Sequence, residues 1–230
     1  MKLKESFKSL NKLEWGLLIA SLITIVVSFA MLTDRDPLAL VASLVGATAL
    51  IFTAKGLPLG QILIIVFAAL YGWISINNRY WGEFMTYVGM SLPMAVVSLV
   101  TWLKNPYEKG KGEVKVATLT SKNIAILAVA TAIVTVVFRF ILKAFDTPEL
   151  FWSTVSITTS FLAAGLTYLR SPYYALFYSM NDCVLIVLWI MATVKLPSNF
   201  PMIICFVVFL VNDLYGFISW QRRRKIQANS

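Results

Sequence analysis

The chain has 230 residues, of which 59% are hydrophobic and 13% are charged, and its formal net charge is +9. Soluble domains carry about 25% charged residues, so this composition excludes an ordinary soluble domain and indicates an integral membrane protein. The sequence contains no histidine, the commonest general base and metal ligand. We therefore expect no enzymatic activity, no cofactor and no metal site. The basic residues lie in loops and chain ends rather than along one polar face, so we expect no nucleic-acid partner.

Eight apolar stretches approach the roughly 20 residues that a helix needs to cross a hydrocarbon core of about 30 Å. In chain order they occupy residues 14–32, 37–53, 57–76, 81–103, 122–145, 148–169, 172–194 and 200–221. Prolines lie near the start of five of them, where a missing N–H group is tolerated. Pro93 lies inside the fourth stretch and predicts a kink. The sequence predicts an all-α integral membrane protein with eight transmembrane helices.

The second to fourth spans and the sixth to eighth spans share a weak repeat. Both groups begin after an acidic segment with proline ("DRDP", "DTPE") and close with tryptophan followed by a basic residue ("TWLK", "SWQR"). Two three-helix units joined by one helix have the same orientation, which makes a parallel repeat. We therefore expect an extra N-terminal helix followed by a 3+1+3 arrangement. The predicted parts are an N-terminal helix at 1–33, a first bundle at 34–105, a loop and linker helix at 106–146, a second bundle at 147–221 and a basic tail at 222–230.

The lysine and arginine residues predict the orientation. With a cytoplasmic N-terminus, 15 of the 20 basic residues lie on the cytoplasmic side and 5 on the other. Cytoplasmic loops of membrane proteins carry an excess of Lys and Arg. Both termini are therefore expected in the cytoplasm, and the tail at 222–230 with them.

An Asn–Asp dipeptide occurs near the midpoint of each of the last two spans. "YSMNDCVLIVLWI" contains Asn181 and Asp182, and "FLVNDLYGF" contains Asn212 and Asp213. An ionisable residue at this depth costs about 2.5–3.5 kcal/mol on insertion scales, and it indicates a functional site. Because the two spans are antiparallel neighbours, we expect all four side chains to meet. The alternative is that these groups tie helices together.

Aromatic residues accompany the dipeptides at helical spacing. Tyr174 and Tyr178 share a stripe with Asn181, Phe177 lies beside them, and Tyr215 lies three residues after Asn212. Gln61 is a further candidate that could face a cavity or a neighbouring helix, and Trp73 could face a cavity or the membrane interface. Aromatic walls with a few polar groups suit a flat heterocycle that carries a sugar. The candidate substrate-binding residues are Gln61, Trp73, Tyr174, Phe177, Tyr178, Asn181, Asp182, Asn212, Asp213 and Tyr215.

The segments "SLVGATALIFTAKG", "YWGEFMTYVGMSLPM", "TWLK", "YSMND" and "ISWQRRRK" resemble those of the Pnu-type (PnuC) vitamin-precursor transporters, whose best-known members carry nicotinamide riboside. The resemblance covers nearly the whole chain. It implies two three-helix bundles joined by one helix, as in SWEET sugar carriers. It also implies facilitated diffusion of an unphosphorylated substrate across the bacterial inner membrane, trapping by a cytoplasmic kinase, and a homotrimer as one form of assembly.

The substrate that the resemblance implies is nicotinamide riboside by default. Similar carriers have a W-x-x-W pair on the seventh span, and this chain has Tyr174 and Phe177, or Ala175 and Tyr178, in its place. An amide common after "GE" in the fourth span is replaced by Tyr87. A deoxyribonucleoside or another nucleoside is therefore an alternative, as are thiamine and riboflavin. From another class, the chain could be a binding subunit that needs an ATPase partner.

Overall fold

The computed structural model describes residues 3–31, 37–77, 81–108 and 111–229. Within these ranges, eight helical segments are long and apolar enough to cross a membrane. They are α2 (Lys12–Ala30), α3 (Pro37–Ala54), α4 (Pro58–Asn77), the segment Gly82–Lys104, α7 (Ser121–Ala144), α8 (Leu150–Tyr168), α9 (Tyr174–Lys195) and α10 (Phe200–Ala228). A short helix, α1 (Leu3–Lys8), precedes them. The predicted class of fold is confirmed.

The predicted spans agree with the observed helices to within two residues at every end but one. The exception is α10, which continues to Ala228 and so runs through most of the basic segment 222–230. Basic side chains near a helix C-terminus interact favourably with the helix dipole, so this segment is compatible with a helix. The predicted boundary between residues 33 and 34 lies outside the described residues.

The N-terminal helix α2 begins with a reciprocal cap. The Asn11 side chain accepts a hydrogen bond from the Glu14 backbone N–H at 2.9 Å, and the Glu14 carboxylate accepts one from the Asn11 N–H at 2.7 Å. This capping box satisfies two backbone donors that would otherwise have no partner at a helix start. The helix α2 then packs against α3 and α10, so it contacts both predicted three-helix units.

The two predicted units share a matched turn. Gly56 follows α3 with φ +68°, and Arg170 follows α8 with φ +55°. In each turn this residue donates its N–H to the carbonyl of a threonine three residues earlier, Thr53 at 2.9 Å and Thr167 at 3.0 Å. A positive φ at the residue after a helix is the usual helix-ending geometry. The same local structure at equivalent places supports the predicted repeat.

Two tryptophans cross-link the units at these turns. Trp102, at the end of the third helix of the first unit, donates its indole N–H to the Thr167 carbonyl at 2.9 Å. Trp220, on α10, donates to the Thr53 carbonyl at 2.9 Å. The two indole rings are tilted against each other with centroids 5.3 Å apart. The last helix of each unit is therefore hydrogen-bonded to the first helix of the other unit through one of two buried, mutually packed tryptophans.

The fourth span is not one regular helix. It consists of α5 (Trp81–Phe84), a π-helical segment (Met85–Ser91) and α6 (Leu92–Lys104). Pro93 has no N–H to donate, and its ring would clash with the carbonyl of residue 89 in a regular α-helix. The predicted irregularity at Pro93 therefore takes the form of a wider turn just before it. Segments of this kind are frequent at functional sites.

A small hairpin covers one end of the helices. The strands β1 (Pro106–Glu108) and β2 (Lys111–Val114) pair antiparallel between α6 and α7, in what the sequence indicated only as a polar loop. The Val114 N–H donates to the Gly56 carbonyl at 2.9 Å. The Gln227 side chain accepts from the Val116 N–H at 2.8 Å and donates to the Val114 carbonyl at 3.2 Å. The hairpin therefore fastens the end of α10 to the turn after α3.

Candidate substrate site

The two Asn–Asp dipeptides lie deep within the protein, on adjacent helices. The exposed fraction of the residue is 6% for Asn181 and 4% for Asp182 on α9, and 1% for Asn212 and 4% for Asp213 on α10. Consecutive residues of an α-helix point about 100° apart, because 3.6 residues make one turn. The Asn and the Asp of each pair therefore face different neighbours.

The two aspartates face each other. The carboxyl groups of Asp182 and Asp213 are direct neighbours and interact. The Asp182 Oδ2 atom is buried and makes no hydrogen bond to any described residue. No lysine or arginine among the described residues is buried. The described part of the chain thus places two acidic groups together without a buried cation to neutralise them.

Asn181 is turned away from this carboxyl pair and towards α8. Its Oδ1 atom accepts hydrogen bonds from the Ser156 hydroxyl at 3.0 Å and from the Thr159 hydroxyl at 2.9 Å. Both hydroxyls lie on one face of α8. The oxygen of Asn181 is therefore engaged in a contact between α8 and α9.

Asn212 is turned towards the N-terminal helix α2. Its Nδ2 atom donates to the Ser21 hydroxyl at 3.0 Å, and that hydroxyl lies 3.4 Å from the Asn212 Oδ1 atom. On the same face of α10, the Tyr215 hydroxyl donates to the Glu14 carboxylate at 3.1 Å. We therefore interpret Asn212 and Tyr215 as contacts to α2 rather than as substrate ligands.

The predicted stacking residues lie at two depths. Tyr174 is almost fully buried, and its ring packs edge-on against Trp220 with centroids 5.0 Å apart, so it belongs to the layer around the tryptophan pair. Phe177 packs against the same layer. Tyr178 lies nearer the carboxyl pair and interacts with both Asp182 and Asp213. Tyr174 also interacts with Asp213, so the structure brings both Tyr174 and Tyr178 to the aspartates, and Tyr178 is the one that interacts with both carboxyl groups.

Tyr87 is a residue that the sequence did not single out as a ligand. It lies in the π-helical segment and interacts with Asp182. Its ring has centroid distances of 4.8 Å to Tyr71 and 5.8 Å to Phe67. The extra residue in a π-turn shifts the positions that follow it, so a 3.6-residue pattern does not predict which way Tyr87 faces. The carboxyl pair therefore has an aromatic wall on the side of the fourth span as well.

The two candidates on α4 have different surroundings. Gln61 is buried on the face of α4 that also carries Tyr71, and its Nε2 atom has no hydrogen-bond partner among the described residues. Trp73 is 61% exposed. The structure therefore does not bring Trp73 to the carboxyl pair, whereas Gln61 has a free donor inside the bundle.

The residues around the carboxyl pair could bind a small cation or a ring that carries hydrogen-bonding groups. Two buried carboxyl groups with tyrosine rings beside them are typical components of a small-molecule pocket. Among the described residues, no group of three or more His, Cys, Asp or Glu side chains could hold a metal ion.

Comparison with known proteins identifies the family. The sequence model of the family described as "Nicotinamide mononucleotide transporter" matches residues 36–222, well over half of the chain. The chain belongs to this family. The match begins at α3 and leaves out the N-terminal helix α2, and it contains both Asn–Asp dipeptides.

Two curated relatives and one solved structure are similar over most of their length. The nicotinamide riboside transporter PnuC of Neisseria mucosa is 26% identical, with 80% of this chain and 72% of that protein aligned. The nicotinamide riboside transporter PnuC of Haemophilus influenzae is 24% identical, with 83% and 81% aligned. A crystal structure of the vitamin B3 transporter PnuC superposes with a TM-score of 0.81 at 24% identity and covers 95% of this chain and 94% of that one.

These findings confirm the predicted PnuC-type membership and the fold. The family is a family of transporters, so the chain is a membrane transporter with several spanning helices in the bacterial inner membrane.

Proposed function

We propose that the chain carries nicotinamide riboside, an unphosphorylated nucleoside-like cation, across the membrane by facilitated diffusion. The names of the two curated relatives support this substrate. The observation that carries the proposal is the buried pair of Asp182 and Asp213. The pyridinium ring of nicotinamide riboside has a permanent positive charge, and a buried carboxylate without a built-in cation is stabilised by such a ligand.

In this proposal, different side chains contact different parts of the substrate. Asp182 and Asp213 neutralise the charged ring, and Tyr178 and Tyr87 pack against its faces. A cation over an aromatic ring gains about 0.5–2 kcal/mol, so these tyrosines add to the attraction of the carboxylates. The unpartnered Nε2 atom of Gln61 is available for an oxygen of the amide or the ribose.

Other substrates of the family range remain as competing candidates because the W-x-x-W pair is absent. Thiamine is also a cation, whereas riboflavin and the deoxyribonucleosides are neutral. A charge-based site predicts that the cations bind better than the neutral compounds. The absence of the two tryptophans predicts that the charge contributes a larger share of the affinity than stacking does.

We also propose that both termini lie in the cytoplasm, following the distribution of lysine and arginine. The tryptophan pair, the hairpin and the basic end of α10 then lie at the cytoplasmic end. We also propose that a cytoplasmic kinase traps the substrate and that the chain assembles as a homotrimer, as the resemblance to the PnuC family implies.

The test is counterflow in proteoliposomes that contain the purified chain alone. Nicotinamide riboside should exchange. Its reduced form, which is almost the same shape but neutral, should bind at least about tenfold more weakly, because it lacks the charge that the carboxylates attract and about 1.4 kcal/mol corresponds to tenfold. Thiamine, riboflavin and a deoxyribonucleoside complete the panel. Equal affinity for the oxidised and reduced forms would contradict the charge-based site. Binding without uptake would instead indicate a binding subunit that needs an ATPase partner.

A further inference from the structure

A cavity of about 320 Å³, lined by several charged side chains, lies at the basic end of the molecule. It is separate from the carboxyl pair, because Asp182 and Asp213 do not line it. Its walls come from the start of α2, the turn after α3, the hairpin and the end of α10. The cavity therefore lies where the N-terminal helix and both three-helix units meet.

The charged residues of the cavity favour an anion. Three cations, Lys55, Arg222 and Arg223, face two carboxylates, Glu14 and Glu113. Both carboxylates are already neutralised. Glu14 is paired with Lys55 at 3.0 Å, and Glu113 is paired with Arg223. One positive charge is left over.

That charge belongs to Arg222. Its guanidinium group forms no ion pair with any described residue and lies on the exposed side of α10. The Nε atom of the neighbouring Arg223 is buried and also has no hydrogen-bond partner among the described residues. Two guanidinium groups thus have donor capacity that the described part of the chain does not use. Planar guanidinium donors match the geometry of phosphate oxygens.

We propose that this cavity binds a soluble phosphate monoester, of the size of a nucleoside monophosphate. The volume is at the lower end of the range of about 300–1,000 Å³ for small-molecule pockets. Tyr107 and Tyr215 line it and offer aromatic surface for a planar base. Glu14 remains held by Lys55 and Tyr215 in the occupied state, and Arg222 and Arg223 bind the phosphate.

Occupancy of the cavity has a consequence for transport, which rests on the function proposed above. An alternating-access carrier moves its two units against each other. A ligand that bridges the turn after α3, the hairpin and the end of α10 binds best when these elements are together. It therefore stabilises the state in which the basic end is closed, and it slows exchange.

The binding test uses the full chain in nanodiscs of phosphatidylcholine, with adenosine monophosphate as the probe in calorimetry. Arg222→Gln should weaken binding about tenfold, the loss of one ionic hydrogen bond. Arg224→Gln is the matched control, because Arg224 is exposed on the same helix and does not line the cavity. It should leave the affinity within about twofold of the wild type.

Three results would overturn the proposal. The first is the absence of saturable binding of adenosine monophosphate to the wild type, and the second is an equal loss in the Arg222 and Arg224 variants. The third is Arg222-dependent binding that occurs only with phosphatidylglycerol in the discs and never with the nucleotide, which would assign the cavity to lipid head groups. Inorganic phosphate, as a second probe, should bind more weakly than the nucleotide if the tyrosines contact the base.

A transport assay separates this proposal from the previous one. Adenosine monophosphate on both sides of the proteoliposome membrane should slow wild-type counterflow, and Arg222→Gln should remove that effect. Failure of counterflow in the absence of the nucleotide would contradict the proposed transport function instead. Normal counterflow that the nucleotide does not slow would overturn the inhibitory role of the cavity alone.

Discussion

The two Asn–Asp dipeptides are identical in sequence, and the structure uses the two residue types of each pair differently. Asp182 and Asp213 meet between α9 and α10. Asn181 is bonded to hydroxyls of α8, and Asn212 is bonded to Ser21 of α2. The aspartates thus form a shared centre, and each asparagine ties its helix to a different neighbour.

The difference shows that a polar residue in a membrane helix has to be interpreted by the face on which it lies. An interhelical hydrogen bond in a membrane contributes about 0.6 kcal/mol on average, so an asparagine with hydroxyl partners is explained by packing. A buried carboxylate with no cation nearby is costly in the same environment. Function therefore explains the aspartates better than stability does.

The largest effect is expected for Asp182→Asn. The amide keeps the shape of the side chain but removes its charge, so nicotinamide riboside should bind about tenfold to a hundredfold more weakly. Calorimetry with the purified variant measures the affinity, and counterflow measures the rate. Cys183→Ser, at the next and exposed position of α9, is the control that should bind normally. Unchanged affinity of the Asp182 variant would remove the carboxyl pair from the site.

A smaller effect is expected for Tyr87→Ala. Loss of one aromatic contact costs about 0.5–1.5 kcal/mol, so binding should weaken about twofold to tenfold. Trp73→Ala removes a larger ring from the exposed side of α4 and should leave binding unchanged. Ligand titration followed by tyrosine fluorescence or calorimetry compares the two variants. A larger loss of affinity in Trp73→Ala than in Tyr87→Ala would contradict the placement of Tyr87 at the site.

Asn181→Ala is expected to affect stability more than binding. It removes the acceptor of two hydroxyl groups on α8, and the free energy of unfolding should fall by about 1 kcal/mol. The affinity for nicotinamide riboside should stay within about twofold, because the side chain oxygen faces away from the carboxyl pair. Equilibrium unfolding in detergent micelles gives the first value and calorimetry the second. A tenfold loss of affinity with unchanged stability would return Asn181 to the list of ligands.

The smallest effect is the coupling between Ser21 and Asn212. A double-mutant cycle with Ser21→Ala and Asn212→Ala should give an interaction free energy of about 0.6 kcal/mol in unfolding. The same cycle measured by substrate binding should give a value near zero. Coupling in binding but not in unfolding would mean that α2 contributes to the substrate site.

Much of the fold followed from the length and the ends of the apolar stretches. Proline near the helix starts marked boundaries that the structure has within two residues. The depth of both dipeptides was predictable for the same reason, since each lies near the middle of its span. The end of α10 was not, because basic residues 222–225 look like a solvated tail, whereas the helix continues through them and Arg223 pairs with Glu113 of the hairpin.

The directions of the side chains were harder to predict than their depth. The expectation that all four polar groups meet overlooked the rotation of about 100° between neighbouring helical residues. The contact of Asn212 with Ser21 joins positions 191 residues apart. It depends on how α2 packs against α10, which the sequence did not indicate. The direction of the Tyr87 side chain depends on the π-helical segment, which the sequence pattern did not predict. The contact of the Tyr174 ring with Trp220 joins α9 to α10, and no local sequence pattern indicated it.

The most direct test compares two neighbouring positions of α10, Asn212 and Asp213. Calorimetric titration of nicotinamide riboside into Asn212→Ala should give an affinity within about twofold of the wild type, and Asp213→Asn should lose at least about tenfold. Thermal unfolding should show the opposite order, with Asn212→Ala the less stable variant. Equal losses of affinity, or a larger loss for Asn212→Ala, would contradict the division between an acidic substrate centre and asparagine ties.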